Sequence, residues 1–473
     1  MSMAAAARET YRPATGQIAL PFGARSVIRG IAHKPSFDAS SRNAKLRPKN
    51  TMTSFQLSAL FLALVGAAGW LNARTLHWPS ATVMVIAGAA NAGLLVLLDR
   101  LAPASGAGPV IQSLERLDFP QAVMGYMLAF LLFAGAMQVD LAELRRRRLS
   151  IWTLATLGVA ASTFIVGAGL WLAARLLGLP LGLAWACVFG ALISPTDPIA
   201  VLAAVREGRL SKVLEVVLQG EALFNDGVGI VVFTAALAIA MGGEHVSPMA
   251  TVGAVAVQAV GGLVLGVVSG VLIIRAMRAI DDYAVEVTLS LALATGAYAI
   301  AQALGVSGPI AVVAAGLLMG DSGLRTAMSE TTQRYVRGFW TLVDEILNGL
   351  LFLLLGLEIL VIPFQARLAG LWVTAVALVI VARFTVVMPW GAYFQVRQKQ
   401  RHAGLVLAWG GLHGALSLAM ALSIPKGPSQ GLILSTTFAV VIFSVVVQGL
   451  TFSRVAGWHA GALSRAKPAN TKQ

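Results

Sequence analysis

The chain has very little charge for its size. Only 12% of its 473 residues are Asp, Glu, Lys or Arg, whereas 57% are hydrophobic. A soluble domain carries about 25% charged residues, so this chain has too few to cover a water-facing surface. The composition excludes a soluble globular protein and predicts an all-α polytopic membrane protein that lies in the lipid bilayer.

Cysteine and the common enzyme motifs are scarce as well. The single cysteine, Cys187, excludes an intramolecular disulfide framework and most thiolate metal sites. The sequence shows no phosphate-binding loop, nucleophile elbow or metal-ligand cluster, so we expect neither an enzyme nor a bound cofactor. The net charge of +14 comes from basic residues in loops and tails between apolar runs. This placement indicates contact with lipid headgroups and no nucleic-acid partner.

The sequence contains many long apolar runs. Runs of about 17–25 residues, the length that crosses a bilayer, predict thirteen transmembrane helices. We place these helices near residues 55–72, 78–98, 120–139, 150–177, 182–205, 215–241, 250–274, 284–304, 308–320, 339–361, 369–391, 403–425 and 429–453. The ninth is short enough to be a half-helix.

The basic residues predict an orientation. Twenty Lys and Arg fall in the C-terminal tail and in the loops on its side of the membrane, against Arg100, Arg116, Arg367 and Lys426 on the other side. The positive-inside rule then places the C-terminus, a short tail at 456–473, in the cytoplasm. The basic segment 1–53 conflicts with the external N-terminus that thirteen spans require. It is either a disordered tail or sequence upstream of a true start at Met52.

Acidic residues interrupt two consecutive predicted spans. The fifth contains Ser-Pro-Thr-Asp-Pro at 194–198, and the sixth contains Glu221, Asn225 and Asp226. A charged side chain at the centre of a membrane helix costs about 2.5–3.5 kcal/mol, so these acids indicate a pathway for a cation or a proton. The two prolines predict an unwound or kinked helix. In that segment Asp197 either caps the second half-helix or contacts the ion.

The twelfth span carries a matching interruption, the segment Gly-Gly-Leu-His-Gly at 410–414. Its glycines weaken the helix around His413. Spans five and twelve are seven apart, the separation that an inverted repeat of six spans around a linker requires. Interrupted segments at matching places in two halves predict a binding site near the middle of the membrane.

The polar residues of the sixth span point in different directions. Glu221 and Asn225 share a helix face at one-turn spacing, whereas Asp226 points about 100° away. Asp226 is therefore able to face the gap and bind a cation or a proton; the alternative is a structural hydrogen bond. Glu221 faces neighbouring helices and needs a buried cation to stay ionised. Arg383, in the eleventh span, is the basic residue that lies deep within a predicted span. By elimination we expect it to pair with Glu221.

At these residues the chain resembles the sodium/proton exchanger superfamily, specifically its NhaP-like cation/proton antiporters with an Asn-Asp pair. The matching segments are LLFAGAMQVDL at 131–141, SPTDP at 194–198, GEALFNDG at 220–227, SGPIAVVAAG at 307–316, FW at 339–340 with Asn348 and LF at 351–352, and GGLHG at 410–414.

The resemblance implies a homodimer of thirteen-helix subunits in the inner membrane of a bacterium, with a transmembrane domain at about 54–455. It also implies a mobile core, with spans at about 150–241 and 369–453, and a dimerisation scaffold at about 55–139 and 284–361.

The resemblance also assigns roles to residues. It implies that Asp226 is the transport carboxylate, that Asn225 organises the site, and that Thr196 and Asp197 belong to the helix crossing. Asp226 and Thr196 are then the expected ligands of a transported sodium ion. The ion pair inferred above becomes a structural link within the core.

Three positions depart from the pattern of that superfamily. Ala134 stands where glutamate is usual, Ala222 where serine is frequent, and His413 where arginine is usual. The first two changes remove side-chain oxygens near the expected site, which leaves the fold unaffected and the cation preference open. His413 is either a pH sensor or a side chain that bonds to a backbone carbonyl in the helical gap.

The residue beside Asp226 is neutral, so the site has one titratable transport group and a cation and a proton compete for it. If the protein changes state only when the charge of Asp226 is neutralised, this competition predicts electroneutral one-for-one exchange of a monovalent cation for a proton. Sodium is expected first, then lithium or potassium. Two rival functions stay open: a passive cation channel and a non-transporting sensor derived from an antiporter. Counterflux separates exchange from a leak, since only exchange requires a trans ion.

Overall fold

The computed structural model describes residues 52–102, 107–206, 208–242, 248–360, 362 and 365–464. Most of these residues lie in helices, and within them the only β-structure is one isolated bridge. The predicted all-α fold is therefore confirmed. Residues 1–51, nearly all of the predicted basic tail, lie outside the described residues.

The described residues form twenty α-helices. The first ten are α1 (Ser54–Leu71), α2 (Ser80–Leu101), α3 (Ala107–Glu115), α4 (Leu128–Gln138), α5 (Leu141–Arg146), α6 (Arg148–Thr153), α7 (Val159–Leu176), α8 (Leu183–Ile193), α9 (Ile199–Arg206) and α10 (Lys212–Gly242). The second ten are α11 (Pro248–Met277), α12 (Tyr283–Ala303), α13 (Gly308–Leu318), α14 (Leu324–Ala327), α15 (Glu330–Leu357), α16 (Ala369–Arg397), α17 (Ala403–Trp409), α18 (Ala415–Leu422), α19 (Pro428–Phe443) and α20 (Gly449–Ser464).

Nine helical segments within the described ranges are long and apolar enough to cross a membrane. They confirm a polytopic membrane protein. The helices coincide with all thirteen predicted spans, but the third span is short, the tenth carries more charge, and the fifth and twelfth are broken. The count of thirteen therefore stays a prediction.

The ninth span is longer than the predicted half-helix. A π-helical turn, Met319–Gly323, joins α13 to α14, so the helical segment runs for 20 residues from Gly308 to Ala327. Arg325 pairs with Asp321 one turn earlier, at 3.2 Å, which favours continuation of the helix.

Small residues allow close packing of these helices. α15 lies along α2, where a Cβ atom built on Gly88 would be 2.2 Å from the carbonyl oxygen of Leu353. Only glycine permits this approach of two backbones. α8 packs between α7 and α10, while α16 packs against both α7 and α17. The two broken helices are thus enclosed by long, continuous ones.

The two broken helices meet at their interruptions. α8 ends at Ile193, because Pro195 and Pro198 prevent it from continuing into α9. Residues 410–414 separate α17 from α18 in the same way. The backbone N–H of Asp197 donates to the carbonyl oxygen of Leu412 at 2.7 Å, which forms the isolated antiparallel bridge. The predicted pair of unwound, crossing helices is confirmed.

The last helix is longer than the last predicted span. α20 continues to Ser464, so residues 456–464, which were expected in the tail, are helical. Within this extension His459 is buried, and its Nδ1 lies against the carbonyl oxygen of Arg401. Residues 465–473 lie outside the described residues.

Candidate functional site

Asp197 lies where the two broken helices meet. Its Oδ1 accepts a hydrogen bond from the N–H of Ile199 at 3.0 Å, so the side chain caps α9. A Cβ atom built on Gly414 would lie 2.4 Å from Oδ2 of Asp197, and only glycine lets the second interruption come this close. Asp197 also lines a cavity between the helices. The carboxylate of Asp197 therefore caps α9 and still borders a cavity that an ion can enter.

A reciprocal pair of hydrogen bonds joins α10 to the crossing. Nδ2 of Asn225 donates to Oγ1 of Thr196 at 2.8 Å, and the N–H of Thr196 donates to Oδ1 of Asn225 at 3.3 Å. Both side chains are buried. Asn225 thereby holds the unwound segment in position next to Asp226.

Asp226 lines the same cavity, which has a volume of about 120 Å³ and is called the central cavity below. Within the part of the chain that the structure describes, its half-buried carboxylate accepts no hydrogen bond. Thr196 and Asp197 line the cavity as well. The volume admits several water molecules, so an ion or a proton can reach the carboxylate.

Sequence reasoning missed one carboxylate in the central cavity. Asp344, on α15, lines it and accepts hydrogen bonds from Nδ2 of Asn348 at 2.9 Å and from Nε2 of Gln138 at 3.4 Å. Asn348 follows Asp344 by four residues, so their common helix face is visible in the sequence. The contact with Gln138 on α4 is not.

Glu221 and Arg383 form a buried ion pair. Both terminal nitrogens of the guanidinium donate to the carboxylate, Nη1 to Oε1 and Nη2 to Oε2, the latter at 2.9 Å. Nη2 also donates to the carbonyl oxygen of Leu407 at 3.1 Å, near the interrupted end of α17. A Cβ atom built on Gly411 would lie 2.3 Å from Nε of Arg383. The pair joins α10, α16 and α17 without lining the central cavity.

His413 is buried in the gap between α17 and α18. Its Nδ1 lies 3.2 Å from the carbonyl oxygen of Pro195, and its N–H donates to Oγ of Ser444 at 2.8 Å. These contacts match the structural alternative, in which the ring bonds to a backbone carbonyl of the other broken helix. His413 does not line the central cavity.

The two unusual alanines lie in different environments. Ala222 lines the central cavity, where it presents a methyl group. Ala134 is fully buried in an apolar cluster that includes Phe133 and Trp340 and does not line the cavity. Of the two changes, only the one at Ala222 removes an oxygen from the site itself.

The central cavity is negatively charged when its acids are ionised. Its described lining residues include Asp197, Asp226 and Asp344, and none of them is Lys, Arg or His. Carboxylate, hydroxyl and amide oxygens suit hard cations, and a carboxylate can bind a proton instead. The arrangement is therefore able to bind either a small cation or a proton at one place.

Comparison with known proteins gives consistent matches. Residues 59–458 match the sequence profile described as "Sodium/hydrogen exchanger, transmembrane". The Na(+)/H(+) antiporter NhaP of Pseudomonas aeruginosa is 42% identical over 403 residues, which cover 84% of this chain and 94% of that protein. The Na(+)/H(+) antiporter NhaH of Halobacillus aidingensis is 37% identical over 349 residues, 71% of this chain and 83% of that protein.

A solved structure has the same arrangement of helices. The sodium proton antiporter MjNhaP1 from Methanocaldococcus jannaschii at pH 8 matches with a TM-score of 0.63 and 19% sequence identity. The match covers 86% of this chain and 98% of that one. At this level of identity the likeness shows a shared fold.

Proposed function

The chain belongs to the sodium/hydrogen exchanger family, and we propose that it exchanges a monovalent cation for a proton across the cell membrane. Sodium is the first expected cation, with lithium and potassium as alternatives. The relatives NhaP and NhaH are named as Na(+)/H(+) antiporters, and this chain spans 94% of NhaP. The observation that carries the proposal is the carboxylate of Asp226, which has no hydrogen-bond partner in the described residues and lines a cavity with room for several water molecules.

Asp226 is the transport carboxylate in this proposal. Asn225 is neutral and bonded to Thr196, and Asp197, although it lines the same cavity, is tied through its Oδ1 to the start of α9. One carboxylate cannot hold a hard cation and a proton at the same time, so each displaces the other. An unpaired charge is costly to move through a low-dielectric interior, so the protein changes state only when Asp226 carries one of them. One cation then crosses for each proton, and the exchange is electroneutral.

The sodium ligands in this proposal are the carboxylate of Asp226 and Oγ1 of Thr196. Water and backbone oxygens of the unwound segment complete the coordination, as half-helix ends do in other transporters. The methyl group of Ala222 supplies no ligand. The site is therefore expected to depend more on water than one with a serine at that position.

Alternating access requires the cavity to open to one side at a time. Gln138 at one end of the central cavity is exposed, whereas Val123, Leu128 and Leu351 farther along its wall are buried. The exposed end is followed in the chain by the basic residues 145–148. With the C-terminus in the cytoplasm, these basic residues are cytoplasmic as well, and we assign this structure as the cytoplasm-open state.

The moving part in this proposal is the core, at about 150–241 and 369–453, and the stationary part is the scaffold, at about 55–139 and 284–361. The ion pair of Glu221 and Arg383 supports a rigid core because it joins three of its helices. A homodimer formed through the scaffold belongs to the same proposal. In the apolar segment Ser54–Leu76, only 6% of the residues of its 18-residue apolar window are buried within the subunit, which leaves this segment able to face lipid or a second copy.

Proteoliposomes with a trapped pH dye and an imposed proton gradient test this function. We expect sodium to collapse the gradient, with no effect of clamping the membrane voltage, and we expect Asp226→Asn to abolish the response. Asp281→Asn, on an exposed position between α11 and α12 outside the cavity lining, is the neutralised control and should behave like the wild type.

Three outcomes of that experiment would contradict the proposal. Normal exchange by the Asp226→Asn variant would show that Asp226 is not the transport carboxylate. Sodium flux that needs no trans ion would identify a channel. Correctly inserted protein that responds to none of the three cations would favour the non-transporting sensor.

A further inference from the structure

A buried hydrogen bond joins the proposed scaffold to the proposed core. Oγ1 of Thr82, on α2, donates to the carbonyl oxygen of Val445 at 2.8 Å, and the two residues are 1% and 4% exposed. α2 is held within the scaffold by the close approach of its backbone to α15 at Gly88, whereas Val445 belongs to the core. The bond therefore connects the two parts that we expect to move against each other.

The acceptor lies in a turn that also contacts the helix crossing. Val445 stands in the π-helical turn Ser444–Gln448, which joins α19 to α20. Oγ of Ser444 accepts a hydrogen bond from the N–H of His413 at 2.8 Å and donates to Oε1 of Gln448 at 2.7 Å. Since His413 lies in the interruption between α17 and α18, the same turn is bonded to a broken helix and to the scaffold. The bond to Thr82 therefore depends on the position of the crossing relative to α2.

The surfaces beside this bond are mostly apolar. A cavity of about 20 Å³ lies next to it, with room for about one water molecule. Its scaffold side includes Ala81 and Phe352, and its core side includes Ile199 and Leu412. Contact between apolar surfaces is non-directional, so it does not select one position of the core. A hydrogen bond requires a specific distance and angle, so the bond from Thr82 does select one.

We propose that Thr82 is a positioning residue that holds the core in the cytoplasm-open state. A movement of the core along α2 that separates the two atoms by more than about 3.5 Å breaks the bond. The bond thus stabilises this state and is absent from the opposite one. The inference rests on the proposed exchange function and on a core that moves against the scaffold. It adds a residue that touches neither the cation nor the proton and sets the balance between the two states.

The KM for sodium, measured separately at each side of the membrane in right-side-out and inside-out vesicles, tests this role. The apparent affinity at one side scales with the population of the state that is open to that side. The ratio of the external KM to the cytoplasmic KM therefore follows the equilibrium between the two states. Thr82→Val removes the hydroxyl from a side chain of similar shape and should lower this ratio about three- to tenfold, the effect of one net hydrogen bond. Thr82→Ser keeps the donor and should leave the ratio within about twofold of the wild type.

Thr437→Val is the matched control. Thr437 is buried on α19, and its Oγ1 donates to the carbonyl oxygen of Ile433 in the same helix at 2.7 Å. This substitution removes a buried hydroxyl from the core without removing a hydrogen bond to the scaffold, so the ratio should stay within about twofold of the wild type. A purely structural defect reduces the amount of folded protein, which lowers the maximal rate and leaves the ratio of the two KM values unchanged.

Three results would overturn the inference. They are an unchanged ratio in Thr82→Val, a rise of the ratio in that variant, and an equal fall in Thr437→Val. If the Val variant does not fold, Thr82→Ala removes the same hydroxyl and is judged by the same outcomes. A wild-type protein without exchange would refute the proposed function itself, whereas exchange with an unchanged ratio in Thr82→Val refutes only the role of Thr82.

Discussion

Breaking the ion pair of Glu221 and Arg383 is expected to destabilise the protein strongly. The two side chains are 2% and 11% exposed, so water cannot solvate either charge once its partner is gone. Removing one partner of a buried pair costs about 3–5 kcal/mol. Arg383→Leu also removes the hydrogen bond to Leu407, worth roughly 1 kcal/mol. Native proteins are stable by only about 5–15 kcal/mol, so this loss is a large share of the total.

A double substitution separates the lost pairing from the lost packing. Replacing both partners of a buried pair with apolar groups of similar volume is often neutral or stabilising. We therefore expect Glu221→Met combined with Arg383→Leu to recover most of the stability that each single substitution loses. The recovered stability measures the cost of burying an unpaired charge. Each single variant leaves one charge buried without its partner, whereas the double variant leaves none.

Thermal unfolding in detergent, followed by the fluorescence of the 10 tryptophans, measures these differences. Membrane proteins often unfold irreversibly, so all variants need the same scan rate. The pair of Glu143 and Arg146, whose side chains are 26% and 73% exposed, is the control, and Glu143→Gln should change the stability by less than about 1 kcal/mol. The reasoning is refuted if both single variants melt like the wild type, or if the double variant is no more stable than the weaker single.

Two further substitutions test close contacts elsewhere. Gly88→Ala places a methyl group 2.2 Å from the carbonyl oxygen of Leu353 and should cost about 1–3 kcal/mol of stability. Gly93→Ala, on the same helix with no atom within 4 Å, should melt like the wild type; equal melting of both variants would contradict this packing. His413→Ala removes the contact with the Pro195 carbonyl and should cost about 1–3 kcal/mol without shifting the pH profile of exchange. A shifted profile would instead identify His413 as a pH sensor.

The sequence by itself determined the membrane-spanning helices and the places where two of them break. Bilayer thickness sets the length of an apolar run, and proline or neighbouring glycines weaken a helix wherever they stand. Both effects depend on a residue and its chain neighbours. Thr196, Asp197, Asn225 and Asp226 were visible for a related reason, since each is polar inside an apolar segment. The end of α20 was not visible, because a contact with a distant segment, that of His459 with the Arg401 carbonyl, lies beyond its apolar run.

Only the tertiary structure decided which polar groups meet. Gln138 and Asp344 are 206 residues apart, and neither segment by itself indicates that α4 and α15 bring them into one cavity. The two alanines that depart from the family pattern looked equivalent, yet Ala222 lines the cavity and Ala134 lies in an apolar cluster. The packing of each helix against its neighbours sets its rotation about its own axis. That rotation determines whether a side chain faces the cavity, the protein interior or lipid, and it depends on residues far away in the chain.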